Sequence, residues 1–213
     1  MPRIALIHAL AHSVAPIHQA FERDWPDVVR MNLLDDSLSA DLARTGHGLD
    51  EAMHRRFVTL ADYAVGTGAE GILFTCSAFG PCIEAVARRH AHIPVLKPNE
   101  AMIDEAARTG LRVGLIATFG PTLQSMPPEF PKAVRLDTEL AEGALAALDA
   151  GDTAAHDARI VAAALRLKDR GCELVALAQF SMARAAPRVR ELVGLPVLTT
   201  VESAVAVLRE RLG

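Results

Sequence analysis

The sequence repeats itself. The run Arg3-Ile-Ala-Leu-Ile returns as Arg112-Val-Gly-Leu-Ile, Gly68-Ala-Glu-Gly-Ile returns as Gly171-Cys-Glu-Leu-Val, and Ile93-Pro-Val-Leu returns as Leu195-Pro-Val-Leu. The pairs come in the same order at nearly the same separations, and Glu100 follows Leu96 as Glu202 follows Leu198. A single match of this length is weak, but an ordered set describes a duplication. Each half of a 213-residue chain is small for a domain, so the two halves are expected to share an interface.

The repeated runs are short and apolar, as buried strands are. Strands are expected at Ile4–Ile7, Val28–Leu33, Gly71–Phe74, Val95–Leu96, Val113–Ala117, Ala133–Leu136, Leu174–Ala178 and Val197–Leu198. Helical patterns lie between them. From Asp50 to Val65, Met53, Phe57, Leu60, Ala61 and Ala64 recur at spacings of three and four, and Gly66 and Gly68 stop the run. Further helices are expected at Asn99–Arg108, Thr138–Ala150, Thr153–Arg170 and Val201–Leu212. Strand alternating with helix is the pattern of parallel βαβ units with right-handed crossovers. The expected architecture is α/β, in two pseudo-symmetric lobes. Each lobe holds a roughly four-stranded parallel sheet with flanking helices. Residues 1–98 plus 199–213 form the first lobe and 99–198 the second, so the last helix returns to the first lobe. Parallel sheets bind ligands beyond the carboxyl ends of their strands, which puts a cleft between the lobes.

Bulk properties narrow the partners. The net charge is −4 and no Lys/Arg run stands out, which argues against nucleic acid or an anionic membrane surface and leaves room for a small carboxylate. Three cysteines, with no CxxC pair, suit a reducing compartment, so the cytoplasm is expected. The N-terminal MPRIALIHAL reads as a first strand rather than a signal peptide, and no apolar stretch is long enough to span a bilayer. The sequence leaves the oligomeric state open, with a homodimer expected on base rate alone.

Cys76 follows the strand Gly71–Phe74 and precedes Gly80-Pro81, a natural helix start. A thiol between a strand end and a helix N-terminus meets free N–H groups that favour a thiolate or hold a carboxylate. The bland alternative is a buried structural cysteine. Gly66-Thr-Gly-Ala-Glu-Gly71 spells GxGxxG but ends a helix and precedes a strand, the reverse of a dinucleotide fingerprint. His8/His12 and His90/His92 lack acidic or cysteine ligands at supporting spacing and read as bonded or solvated histidines, with no metal. Asn99 is expected to cap a helix whose first turn holds Glu100, with Lys97 or Glu100 reaching the cleft as the alternative, and Arg184 is either a solvated helix charge or a partner for a substrate carboxylate. Pro127-Pro-Glu-Phe-Pro131 is a rigid loop, either a lid or a connector.

The run Ile72-Leu-Phe-Thr-Cys76-Ser-Ala-Phe-Gly, the later Ala117-Thr118-Phe-Gly-Pro-Thr122 and the duplicated layout resemble the aspartate/glutamate/hydantoin racemase superfamily, which also holds maleate isomerases and arylmalonate decarboxylases. The resemblance implies Rossmann-like lobes, no cofactor, and one cysteine per lobe on opposite sides of the substrate α-carbon. Small hydroxyls and backbone amides would hold the carboxylate. It makes Cys76 the first cysteine. Ser77, Ala78, Thr118 and Thr122, with Gln179, Phe180 and Ser181 from the second lobe, become substrate-site residues.

The repeat alignment departs from that pattern. Opposite Cys76 stands Gln179, which carries no proton to exchange at neutral pH, and Cys172 falls at the start of its strand. Two-base racemisation needs a proton carrier on each face. His8 is the first residue to test for the second role, although a backbone-bonded strand-end histidine is the simpler expectation. With one thiol, three outcomes stay open: a racemase or isomerase on a small carboxylate, a decarboxylase or lyase with one proton donor, and a small-acid binding protein without catalysis.

Overall fold

A computed structural model describes residues 1–45 and 48–213. Its elements run β1 (Arg3–His8), α1 (Val14–Asp24), β2 (Val29–Leu34), α2 (Ser37–Thr45), α3 (Glu51–Gly66), β3 (Gly71–Phe74), α4 (Gly80–Arg89), β4 (Val95–Leu96) and α5 (Glu100–Thr109). The second half follows as β5 (Val113–Ala117), α6 (Thr122–Ser125), β6 (Leu136–Leu140), α7 (Ala144–Asp149), α8 (Thr153–Asp169), β7 (Leu174–Leu177), α9 (Ala186–Val193), β8 (Val197–Thr199) and α10 (Thr200–Leu212).

The duplication is visible in the topology. One parallel sheet has the order β2-β1-β3-β4 and the other β6-β5-β7-β8. Ile4 pairs with Gly71 and Val113 with Leu174, so the repeated runs occupy matching inner positions. Both faces of each sheet are covered, as parallel strands require. On one face of the first sheet, Ala5, Ile7, Ile72 and Phe74 pack against α2, α3 and α4 through Leu38, Phe57, Ala61 and Ile83. On the other, Ile4, Leu6 and Leu73 pack against Ile17 and Phe21 of α1 and Val205 and Leu208 of α10. In the second sheet, Ile116, Val175 and Leu177 face α8 and α9, while Leu115 and Ala176 face Met102 and Ile103 of α5. Each half thus passes its last helix across the molecule. α5 leaves the first sheet to cover the second, α10 makes the reverse journey, and the two helices pack against one another.

Local chemistry sets the helix ends. Asp50 caps α3 by accepting the Met53 N–H at 2.8 Å, and Asp152 caps α8 through the Ala155 N–H at 2.9 Å. Pro81 sits in the first turn of α4, where its missing N–H has no bond to lose. Asn99 precedes α5 but does not cap it: its Nδ2 donates to Glu129 at 2.9 Å, and its buried Oδ1 has no partner among the described residues.

One strand differs from expectation. The expected run Ala133–Leu136 is replaced by β6 at Leu136–Leu140, and the helix expected from Thr138 begins only at Ala144. This is an edge strand, and its polar residues are what hid it. Asp137 bonds Arg112 at 2.7 Å, and Glu139 bonds Arg166 and Arg170 at 2.6 Å each, so charge on the edge is neutralised from its neighbours.

Candidate active site

The strand ends of the two lobes meet reciprocally. The 3₁₀ turn Ser77–Phe79, after β3, touches α6 of the second lobe; the turn Phe180–Ala185, after β7, touches α1 of the first. Ser77 Oγ lies 3.4 Å from Thr122 Oγ1, and Ser125 Oγ donates to the Ser77 carbonyl at 3.2 Å.

Cys76 and Gln179 occupy equivalent places in this arrangement. Each is the extended residue that begins its 3₁₀ turn, at φ −124°, ψ 118° for Cys76 and φ −133°, ψ 144° for Gln179. Cys76 is half-buried. It lines a constricted space with Ile7, His8, Ala9, Leu38, Phe57 and Phe74, too narrow to admit a water molecule. Ser39 of α2 is 4.0 Å from the sulfur. Burial pushes the Cys76 thiol up, and hydrogen bonds from the Ala78 backbone and Ser39 only partly oppose it. The expected thiolate is therefore a thiol in this conformation: the amide at the turn does point to the sulfur, but desolvation outweighs it.

His8 is fully buried at the end of β1. Its Nε2 lies 3.0 Å from Asn32 Oδ1, and Asn32 Oδ1 also receives His18 Nε2 at 2.9 Å. An amide oxygen only accepts, so Nε2 of His8 carries the proton and Nδ1 accepts from the Thr75 hydroxyl at 2.9 Å. Burial, first, lowers its pKa to about 4, against the Asn32 bond that raises it. β1 lies beside β3 in one sheet, and His8 lines the same constricted space as Cys76. Both ring nitrogens are engaged on the thiol's own lobe, so His8 does not stand across the cleft, where a second proton carrier would have to be.

On the second lobe, Gln179 Oε1 accepts three hydrogen bonds: from Thr118 N at 2.6 Å, Thr118 Oγ1 at 3.1 Å and Phe119 N at 3.2 Å. Thr118 and Gln179 are thus brought together, and Thr118's donors point at the glutamine. Phe119 joins the lobes, since it packs, as Cys76 does, against the first-lobe core cluster. Ser181 Oγ is buried and has no partner among the described residues. Two expected substrate contacts are core residues instead. Phe180 is fully buried among Ile17, Phe21 and Val205, and Ala78 packs beside Phe57 and Phe79, because the 3₁₀ turns press these side chains inward.

Around this centre, Lys97 Nζ meets Glu84 at 2.9 Å, Glu129 at 3.0 Å and Glu100 at 3.6 Å, which raises its pKa despite burial. Glu129 belongs to the proline-rich loop and also accepts from Asn99 at 2.9 Å. Arg184 bonds Asp157 at 3.1 and 3.2 Å. His12 meets Asp149 and His90 meets Asp62, each at 2.8 Å. Among the described residues, no group of three His, Cys, Asp or Glu side chains is placed to hold a metal ion, and no helix is long and apolar enough to cross a membrane. Asn32 and Ser39 were not singled out from the sequence, and no spacing ties them to their partners; Phe119 and Glu129 were met there only as members of the 117–122 run and of the proline-rich loop.

The profile of the Asp/Glu/Hydantoin racemase family matches residues 11–208. The chain belongs to this family. No curated protein sequence matches it. Among solved structures, a glutamate racemase from Bacillus anthracis superposes with a TM-score of 0.76 at 15% identity, covering 98% of this chain and 80% of that one. Allantoin racemase from Klebsiella pneumoniae gives 0.71 at 20% identity, covering 99% and 87%. Aspartate racemase from Picrophilus torridus gives 0.72 at 12% identity, covering 99% and 94%. These likenesses confirm the two-lobed fold, and the family match supports an isomerase of the racemase type.

Proposed function

We propose that this member of the family is a cofactor-independent isomerase of a small carboxylic acid, with Cys76 as the one ionisable side chain that reaches the reacting carbon. The observation that carries this reading is the pairing of a half-buried thiol with Gln179 at the equivalent position of the other lobe. Ser77 and Thr122 supply hydroxyls across the lobe boundary, and their mutual bond of 3.4 Å is weak enough to yield to a carboxylate.

Removing a proton α to a carboxylate leaves charge that fixed donors must hold. Cys76, once ionised, takes that proton on one face and returns it there. The matched residue on the other face cannot deliver one, so inversion draws on solvent. Addition of the thiolate to an activated double bond, rotation and expulsion is the alternative use of the same sulfur. The addition route needs only this chain's side chains, whereas inversion also needs a solvent proton on the face opposite the sulfur. The thiol form of Cys76 specifically favours a second reading, a decarboxylase in which it protonates the enolate left after carbon dioxide departs.

The test is incubation with panels of small amino, hydroxy, cyclic-ureide, unsaturated and malonic acids in deuterated buffer. Deuterium at the α-carbon arriving faster than optical inversion, and lost in Cys76→Ser, supports the isomerase. Carbon dioxide release supports the decarboxylase. Turnover that survives Cys76→Ser defeats both, and ligand binding without any turnover points to a binding protein.

A further inference from the structure

The three bonds on Gln179 Oε1 settle which way its carboxamide points. If the amide were turned over, its NH₂ would face two backbone N–H groups and a hydroxyl. Buried donors would then stand unpaired, at about 1–3 kcal/mol each. With the oxygen held at 2.6–3.2 Å by the Thr118–Phe119 corner, Nε2 is directed away from that corner. Nε2 makes no hydrogen bond to any described residue, and it is not among the buried polar atoms without a partner, so it reaches solvent. Bonds accepted by an amide oxygen also draw charge from the nitrogen and strengthen its N–H groups as donors.

We propose that Gln179 is a fixed anion-binding donor: its anchored amide N–H groups hold a carboxylate oxygen of the ligand from the lobe opposite Cys76. This rests on the reading that a small acid binds between the strand ends. In a duplicated architecture the first lobe then offers sulfur and the second offers a neutral clamp. Thr118 and Phe119 act through Gln179, as positioning residues, and do not touch the acid. Phe119 is well placed to couple the two sides, since its N–H holds the clamp while its side chain packs, as Cys76 does, on the first-lobe core cluster.

A rival arrangement has the opposite sign. If Gln179 merely filled an anion site made by Thr118 and Phe119, removing it would free those donors and tighten binding. The experiment titrates malonate and acetate against the wild-type protein, Gln179→Ala and Gln179→Glu. Binding is followed by calorimetry and by protection of Cys76 from alkylation, and Tm is recorded for each protein. The glutamate keeps an oxygen for the three donors but replaces NH₂ with a negative oxygen. The expected result is at least tenfold weaker malonate binding in both variants, more so in Gln179→Glu, whose Tm stays at or above wild type. A Gln179→Ala protein that binds malonate as well as or better than wild type overturns the clamp and leaves the small-acid reading standing. Wild-type protein that binds neither anion overturns the small-acid reading and the clamp with it.

Discussion

Asn32 Oδ1 lies 3.0 Å from His8 Nε2, and this exposed amide fixes the protonation state of a fully buried imidazole. The folded state holds His8 neutral down to about pH 4, whereas in the unfolded chain it titrates near 6.5. Between those values unfolding takes up a proton, so the contribution of His8 to stability is complete above pH 6.5 and declines as pH falls toward 4. The loss is of order 3 kcal/mol. Urea midpoints measured from pH 7.5 to 4.5 should fall steadily in the wild type and fall less in His8→Asn. Parallel curves for the two proteins count against a neutral buried His8.

Thiol reactivity should rank by enclosure and rise late with pH. Cys82 and Cys172 are buried, and burial raises the Cys82 pKa to about 12. Iodoacetamide should therefore label Cys76 first, yet at least tenfold more slowly at pH 7 than a free thiol, with the rate still rising beyond pH 9. Mass mapping of the labelled peptides decides the order. Rapid labelling at neutral pH would mean that the constricted space around Cys76 opens readily in solution.

Lys97 is enclosed and faces three carboxylates, of Glu84, Glu100 and Glu129. Lys97→Met leaves those charges without their shared cation. Because Glu84 and Glu100 are half exposed, the cost is set near the low end for a broken ion pair, about 2 kcal/mol at pH 7. Chemical denaturation at low and high ionic strength should show the deficit shrinking as salt screens the half-exposed charges. An equal deficit at both ionic strengths would assign the effect to packing of the aliphatic stem.

Gly114 sits in inner strand β5, where an added Cβ would lie 2.8 Å from Leu167 Cδ1 and 3.1 Å from its Cβ. The close approach is to the root of the leucine as well as its tip, so a rotamer change alone does not relieve it. Gly114→Ala should destabilise by about 1–3 kcal/mol, read from the urea midpoint. The double variant Gly114→Ala/Leu167→Val should recover part of that loss.

The duplicated runs made the lobes legible because buried parallel strands are continuous apolar stretches, and β3, β4 and β5 lie where those stretches do. β6 was hidden because this edge strand is polar at Asp137, Thr138 and Glu139, a pattern that also suits a helix start. The equivalence of Cys76 and Gln179 could be read from the repeat alone. What Gln179 does could not, because Thr118 is 61 residues away in sequence and meets it only through the β5–β7 pairing. The same holds for His8, whose partners Asn32 and Thr75 come from the strands on either side. Phe180 was placed at the cleft by alignment with its neighbours, but alignment carries no information about which way a 3₁₀ turn aims each side chain.

The crossed positions of α5 and α10 give the molecule the wiring of two exchanged arms. Clipping the thirteen residues of α10 from the C-terminus would leave Ile4, Leu6 and Leu73, at the far end of the sequence, with only α1 over them, while the sheet it directly follows would keep its cover. Neither repeat can be melted by itself, so heat should undo both in a single step. The distance between the sulfur-bearing and amide-bearing edges is then governed by one shared helical spine rather than by a flexible joint.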